Sequence, residues 1–388
     1  NKNEITDLLT DKKNNIWIGT TSNGIYRYNL NTGQLDNGNY SASDKYSLRK
    51  NYIISLFIDK QGITWIGTSG GGISKYDPGK FIFNQANLND SKGMPAPDNM
   101  IMGLLQLPGH GFLAGSQTCG IIKVDTYFNN PAFFKNNSTK NQDALYDNVY
   151  QMYAGTNGIS WLATWGGLCS FNNETNNFEN YTGSSDKIHR EFYSIAAIPE
   201  NNILLLSGNK GLYAFDVVEK AWVKCKDKYN FLETHLVNGR YLWREPGKPF
   251  IWICTDGNGL IEYNFQEGVF RLFPRVNDTY KTIRHLYKHY DTIWLATDKG
   301  LVKADAKTGN INRVFDNRHG LPGDVVYAVL PGSNQQLWLS SNNGISCFNE
   351  TKEIFTNYNE SNGLQGSEFN TASCCKDDKG RLYFGGIN

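Results

Sequence analysis

The chain has 388 residues and a net charge of +1, with 39% hydrophobic and 19% charged residues. This balance excludes a disordered tail. It also argues against a surface for nucleic acid or anionic lipid, because there is no excess of Lys or Arg to neutralise phosphates. The length fits one large domain or two.

The first predicted elements set a pattern that the rest of the chain repeats. The stretch NNIWIGTTSNGIYRYN (14–29) places a tryptophan between two isoleucines, follows it with Gly-Thr and returns through a glycine. It recurs as GITWIGTSGGGISKYD (62–77) and, more loosely, along the whole chain at intervals of 42–49 residues. The tryptophan slot falls at nine positions: Trp17, Trp65, Phe112, Trp161, Leu204, Trp252, Trp294, Trp338 and Tyr383.

Each copy contains four short segments, of which the slot segment is the second. A segment such as ITDLLTD (5–11) precedes the slot segment, and pieces such as GIYRYN (24–29) and KFIFNQ (80–85) occupy the third and fourth places. Runs of 4–8 residues rich in β-branched and aromatic residues between turns predict strands. We therefore predict four antiparallel strands, A to D, in each copy.

Four-stranded units repeated at this length predict an all-β fold, a β-propeller whose blades stack around an axis. One small sheet cannot bury both of its faces, so the slot residue of each blade should pack against the next blade. A glycine such as Gly300 should supply positive φ for the B–C turn, and the Thr or Ser after the slot strand should bond turn amides. The last copy ends at strand B, so we expect the natural protein to continue beyond Asn388 and this chain to be a fragment.

The seven cysteines show neither CxxC spacing nor histidines at zinc-ligand distances, so we predict no metal site and no cofactor. Buried free thiols are the simpler interpretation, and a disulfide stays open as an alternative. The sequence has no run of about 18 apolar residues that would span a bilayer.

The motif N-x-I…L-x-x-D-x-x-x-x-I-W-I-G-T-x-x-x-G-I-x-R-Y resembles the two-component regulator propeller repeat, with weaker copies at 101–125 and 195–216. GLQGSEFNTASCCKDDKGRLYFGG (363–386) is similar to the closing blade of the second propeller in such sensors. The resemblance implies the periplasmic sensor region of a hybrid two-component system of Bacteroidetes. It also implies downstream immunoglobulin-like, transmembrane, histidine kinase and DNA-binding regions, and a homodimer in the full-length protein.

The family usually carries two seven-bladed rings in series. Counting seven copies back from Tyr383 reaches Phe112. We therefore expect residues 1–91 to form the last blades of a first propeller and residues 92–388 to form a second, with an incomplete final blade. A single larger ring is the alternative.

Strand parity places the B–C turns and the long, dissimilar D–A connections on one face, which is our candidate ligand face. We predict ligand contacts from Trp165, His189, Arg190, Asp256, Asn258, Arg284, His285, Asp298 and Lys299. Each has a structural alternative: Trp165 could pack on a neighbouring blade, the cations could be solvated loop charges, and Asp and Asn are ordinary turn formers.

Three functions compete on this sequence. The first is a non-catalytic sensor that binds a glycan-derived oligosaccharide and shifts a conformational equilibrium read by a histidine kinase. The second is a periplasmic propeller lyase or glycosidase acting on polysaccharide, for which Asp256, Asp298, Glu368 and His285 would be the candidate cluster. The third is a passive interaction scaffold. No nucleotide-binding or hydrolase motif is present in the sequence.

Overall fold

The structure, a computed structural model, describes residues 3–41, 47–60, 62–76, 83, 88, 100–109, 111–128, 131–136, 143–181, 191–208, 211–223 and 238–387. Within these ranges the protein is built of β-strands and short helical turns, which confirms the predicted all-β class. The chain divides into two compact units, unit 1 (Asn1–Asn84) and unit 2 (Gln85–Asn388). The predicted domain boundary at 91–92 lies outside the described residues.

Unit 1 contains, in its described part, two antiparallel sheets in which consecutive strands pair with each other. The four-stranded sheet consists of β1 (Ile5–Thr10), β2 (Asn15–Thr20), β3 (Ile25–Asn29) and β4 (Leu35–Gly38). The three-stranded sheet consists of β5 (Ile53–Ile58), β6 (Thr64–Thr68) and β7 (Gly72–Tyr76).

The described residues of unit 2 form seven antiparallel sheets, six with four strands and a last one with two. The first three sheets are β8 (Ile101–Leu107), β9 (Gly111–Ser116), β10 (Ile121–Val124), β11 (Ala132–Phe134); β12 (Val149–Ala154), β13 (Ile159–Thr164), β14 (Gly167–Asn172), β15 (Phe178–Tyr181); and β16 (Phe192–Ile198), β17 (Ile203–Gly208), β18 (Gly211–Asp216), β19 (Ala221–Val223). The other four are β20 (Gly239–Arg244), β21 (Phe250–Thr255), β22 (Leu260–Asn264), β23 (Val269–Leu272); β24 (Ile283–His289), β25 (Thr292–Thr297), β26 (Gly300–Asp305), β27 (Ile311–Phe315); β28 (Val326–Pro331), β29 (Gln336–Ser341), β30 (Gly344–Asn349), β31 (Ile354–Tyr358); and β32 (Phe369–Lys376), β33 (Leu382–Gly386).

The first strands of the seven sheets of unit 2 form a closed ring. In order, β8, β12, β16, β20, β24, β28 and β32 each contact the next, and β32 contacts β8. Unit 2 is therefore a seven-bladed propeller, which confirms the predicted architecture.

The slot residues lie on the second strand of every sheet and most of them pack against the following sheet. Trp294 is 2% exposed and lies 5.7 Å, between ring centroids, from Phe348 of the next blade. Tyr383 of the last blade lies 4.8 Å from Phe112 of the first, so the packing continues across the ring closure. Trp65 departs from the prediction because it is 37% exposed. It belongs to the last described sheet of unit 1, so no later sheet of that unit covers it among the described residues.

The B–C turns follow the predicted chemistry. Thr297 Oγ1 donates to the carbonyl oxygen of Gly300 (2.8 Å) and accepts from the amide of Lys299 (3.1 Å), and Ser341 repeats both bonds with Gly344 and Asn343. Gly300 has φ of +104°, and a Cβ there would lie 2.2 Å from the carbonyl oxygen of Phe315.

Buried leucine side chains anchor two of the described D–A connections to the blades. Leu321 and Leu364 are buried in successive connections, each after a 3₁₀ turn capped by an Asp or Asn side chain. The described helical segments are α1 (Pro274–Asn277) and the 3₁₀ turns Asp143–Asp147, Pro199–Asn201, Asn317–His319 and Glu360–Asn362.

Candidate functional site at the mouth of the ring

Each of the first six innermost strands of unit 2 has a one-residue β-bulge directly after its first paired residue. In β12, for example, Val149 pairs with Thr164 and Gln151 with Ala163, so Tyr150 has no partner residue in the register. Such a bulge re-aims the unpaired side chain. The bulge residues of the six strands are Met102, Tyr150, Tyr193, Arg240, Arg284 and Tyr327.

The seventh innermost strand carries a wider bulge. In β32 the register passes from Phe369–Gly386 directly to Cys374–Phe384, so more residues are inserted on β32 than on β33. Ala372, within this insertion, has φ of +55°, a region that residues with a Cβ adopt at a cost. The bulge places Asn370, Thr371 and Ala372 in the lining of a cavity at one end of the ring.

Five of these six bulge residues, all except Arg284, line a cavity of about 290 Å³, here called the mouth cavity. It lies where strands A begin and strands B end, which is the face shared by the B–C turns and the D–A connections. Six of the seven innermost strands contribute to its lining. The lining residues are Met102, Tyr150, Gln151, Tyr193, Arg240, Tyr327, Glu368, Phe369, Asn370, Thr371, Ala372 and Ile387.

One side of the mouth cavity is aromatic. Tyr150 stacks with Trp165 of its own blade (centroids 5.8 Å apart, 24° between planes) and meets Tyr193 edge-on at 5.2 Å. Burial raises the pKa of both tyrosine hydroxyls, so they stay protonated and can donate hydrogen bonds at neutral pH. The rings offer apolar faces beside polar tips, which suits the faces and hydroxyls of a sugar ring.

The next sector is charged. Arg240 lies over the ring of Tyr193 (4.6 Å to the centroid), and its Nη2 donates to Asp256 Oδ2 at 2.8 Å. Thr282 Oγ1 donates to the other oxygen of that carboxylate at 2.9 Å. Burial alone would raise the pKa of Asp256, but the hydrogen bonds from Arg240 and Thr282 outweigh it and lower the pKa. The carboxylate therefore stays ionised and fixes the guanidinium at the cavity wall.

Glu368 completes the wall beside Tyr327, which Arg284 contacts. Arg284 lies over the ring of Tyr327 (5.3 Å), and the Tyr327 hydroxyl donates to Glu368 Oε1 at 2.5 Å. Burial, followed by the Glu368 carboxylate, raises the pKa of Tyr327 to about 12. The Nε atoms of Arg240 and Arg284 are buried without a hydrogen-bond partner among the described residues.

Contacts across the ring interior lie beneath the cavity. Arg284 Nη1 of β24 donates to Thr371 Oγ1 of β32 at 3.1 Å, although β28 lies between these strands in the ring. One residue deeper, His285 stacks on Tyr241 of β20 (4.2 Å) and places Nε2 3.5 Å from Cys374 Sγ of β32. These contacts join β20, β24 and β32 across the ring interior below the mouth cavity.

The structure brings three of the predicted site residues that it describes to the rim of the cavity. Trp165, Asp256 and Arg284 each contact lining residues. The remaining turn residues keep local roles. Asn258 is exposed in its turn, Lys299 Nζ donates to the carbonyl oxygen of Thr279 (3.3 Å), and Asp298 Oδ1 is buried without a partner among the described residues.

His285 is a correction to the predicted site, and His189 and Arg190 lie outside the described residues. His285 belongs to strand β24 rather than to a connection, is 3% exposed, and its Nδ1 accepts the amide hydrogen of Val329 (3.4 Å). Burial lowers its pKa to about 3, so the ring is neutral and serves as a packing and acceptor group.

Sequence reasoning missed most of the lining residues. Tyr150, Tyr193, Arg240 and Tyr327 each follow the first buried residue of a strand A, and that recurrent position was the available signal. No three or more His, Cys, Asp or Glu side chains are placed to hold a metal ion anywhere in the described ranges. Nor does that part of the chain contain a helix long and apolar enough to cross a membrane.

Comparison with known proteins supports the interpretation of the repeat. The family model described as two component regulator propeller matches residues 1–22 and 47–70. A relative, Histidine kinase P4 of Formosa agariphila, is 31% identical over 80 residues, which is 21% of this chain and 6% of that protein. The chain thus spans a small part of the curated relative it matches.

Two solved structures from B. thetaiotaomicron share the fold, and both are extracellular domains of proteins named as hybrid two component systems. That of BT3049 matches with a TM-score of 0.76 at 23% identity, over 99% of this chain and 50% of that one. That of BT4673 matches with a TM-score of 0.62 at 18% identity, over 99% of this chain and 51% of that one. The chain spans about half the length of either structure.

Proposed function

Because residues 1–22 and 47–70 carry two-component regulator propeller repeats, we propose that this protein is the extracytoplasmic, periplasmic sensor region of a hybrid two-component regulator. Its ligand is a glycan-derived oligosaccharide, bound in the mouth cavity of unit 2. The observation that carries the proposal is the cavity wall, in which Tyr150 and Tyr193 stand beside Arg240 and Glu368 on one ring axis.

This wall combines the two kinds of group that bind sugars. The tyrosine rings pack against apolar ring faces, while the fixed guanidinium and carboxylate groups hydrogen-bond hydroxyls without further ordering cost. Arg240 is already oriented by Asp256, and Tyr327 and Glu368 orient each other. A ligand thus meets a pre-organised set of donors and acceptors.

Signalling follows from differential affinity. A ligand that binds one arrangement of the sensor better than another shifts the population towards it. We propose that downstream immunoglobulin-like and transmembrane regions of a homodimeric full-length protein transmit this shift to a histidine kinase. The propeller itself performs no chemistry in this scheme.

A thermal-shift screen of the protein against oligosaccharides from common plant and host glycans tests the proposal. A ligand should raise the melting temperature in a concentration-dependent way, and chromatography should show the sugar unchanged. Turnover would contradict the sensor assignment in favour of an enzyme, and a panel without any stabilising sugar would contradict carbohydrate binding.

A matched pair of variants places the binding. Met102 lines the cavity at the bulge of β8, and Ile54 holds the same bulge position of β5 in unit 1, where it is 57% exposed. Met102→Trp should fill the cavity and abolish the thermal shift, whereas Ile54→Trp should leave it unchanged. Equal responses of the two variants would exclude the mouth cavity as the binding site.

A further inference from the structure

The walls of the mouth cavity enclose it on the ring axis. Lining side chains come from β8, β12, β16, β20, β28 and β32, and Arg284 of the remaining innermost strand, β24, contacts two of the lining residues, Tyr327 and Thr371. A ligand therefore enters along the axis from the mouth, because the innermost strands stand on every side.

Side chains from β20, β24 and β32 narrow the inner end of the cavity. The wide bulge of β32 brings Thr371 and Ala372 into the lining, and Arg284 bridges from β24 to Thr371. Behind them lies the buried stack of Tyr241 and His285, which reaches Cys374. Since these contacts join β20, β24 and β32 across the ring interior, they obstruct the passage of a chain on that side of the axis.

The volume limits what the cavity can hold. At about 290 Å³ it lies just below the usual range of ligand sites, ~300–1,000 Å³. Such a space accommodates about one or two sugar rings, far less than a segment of polysaccharide with both ends outside.

From the surrounding walls, the side chains that narrow the inner end and this volume, we infer that the site recognises the end of a saccharide, inserted along the axis, and not an internal segment of a chain. The inference rests on the proposed function and adds to it the class of ligand. The ligand is a small oligosaccharide, or the terminal unit of a chain or branch. An intact polymer then presents one site per chain end, whereas its breakdown presents many.

Titration calorimetry with defined probes tests this inference. The probes are malto-, cello-, xylo-, manno- and galacto-oligosaccharides of increasing length, with the parent polysaccharides. For the series that binds, affinity should reach its plateau by the disaccharide and change less than about threefold up to the hexasaccharide. The polysaccharide should bind one protein molecule per accessible chain end.

The outcomes separate this inference from the proposed function. Affinity that rises about tenfold or more beyond two units, or many protein molecules bound along each linear chain, would overturn end recognition while leaving a carbohydrate sensor intact. Absence of binding by every series would overturn both. Met102→Trp should abolish binding of the disaccharide and the longer probes, whereas Ile54→Trp should leave their affinity unchanged. Equal affinities of the two variants would also overturn the inference.

Discussion

At the scale of single residues, the spacing between an acidic residue and the slot aromatic has a direct physical meaning. The indole Nε1 of Trp17 donates to Asp11 Oδ2 at 3.0 Å, and the hydroxyl of Tyr383 donates to Asp377 Oδ2 at 3.1 Å. The same carboxylates accept backbone amides of the A–B turn, such as that of Asn15 at 3.0 Å. One side chain thus fixes both the turn and the aromatic ring that packs between blades.

Gly300 provides a test of the B–C turn. Gly300→Ala should destabilise unit 2 by ~2–4 kcal/mol, because φ is +104° and the new Cβ would meet the Phe315 carbonyl oxygen at 2.2 Å. Gly320 has φ of +96°, but no atom lies within 4 Å of the point that a new Cβ would occupy. Gly320→Ala should therefore lower the free energy of unfolding by only ~1 kcal/mol, the cost of the backbone conformation. Urea unfolding monitored by tryptophan fluorescence measures both. Equal losses would refute the steric argument.

His285 predicts a pH dependence of stability. The folded ring has a pKa of about 3, and the unfolded ring titrates near 6.5, so the unfolded state binds the extra proton between these values. Stability should therefore fall as the pH drops below about 6.5, by up to ~1.4 kcal/mol per pH unit from this group. The groups that face the ring are Tyr241, Cys374 and the amide of Val329, none of which carries a charge at neutral pH.

The comparison that isolates this effect is His285→Asn, whose carbonyl oxygen can replace Nδ1 as acceptor for Val329. Its unfolding free energy should vary less between pH 6.5 and 5 than that of the unaltered protein. Parallel curves for the two proteins would show that His285 does not titrate in this way.

At the scale of elements, the join between the last and first blades of unit 2 depends on side chains. Asn370 Nδ2 and Ser373 Oγ of β32 both donate to the carbonyl oxygen of Ile101 in β8, at 2.9 and 2.8 Å. Gln106 and Asp378 exchange two further hydrogen bonds, at 2.9 and 3.1 Å. The wide bulge of β32 therefore both closes the ring and forms the floor of the mouth cavity.

Because two side chains donate to the same carbonyl oxygen, the effects of their substitutions on the free energy of unfolding should not add. Asn370→Ala and Ser373→Ala should each cost ~0.5–1.5 kcal/mol, since the Ile101 oxygen keeps the other donor. The double variant should lose at least ~1 kcal/mol more than the sum, because both donors are then gone. A double-mutant cycle in urea measures the coupling, and additivity within ~0.5 kcal/mol would contradict the shared clamp.

The strands and their order were predictable from the sequence, whereas the mouth cavity was not. Alternation, turn glycines and the tryptophan period locate strand B of every blade, because those signals are local. A bulge is a property of pairing between strands, and it reverses the side-chain direction of one residue. From the sequence alone, Tyr150 and Tyr193 are therefore expected to lie on a face of their sheet rather than in a cavity. His285 was misplaced because β24 begins two residues before it, inside a segment that resembled a loop.

At the scale of the whole molecule, unit 2 closes its own ring of seven innermost strands, and the mouth cavity lies on that axis. The assignment of residues 1–91 to the end of a first propeller stays a prediction. For unit 2, the rigid blades supply the scaffold, and the bulges of six different strands supply one recognition surface. Specificity can then change by single substitutions at one repeat position, without altering the packing between blades.

The most direct test of this account is a crystal structure of the protein with the oligosaccharide that gives the largest thermal shift. We predict a sugar ring in the mouth cavity, against Tyr150 or Tyr193 and within hydrogen-bond distance of Arg240 or Glu368, with its chain leaving through the mouth. Ligand density elsewhere on the protein, with the mouth cavity holding only water, would contradict the central claim.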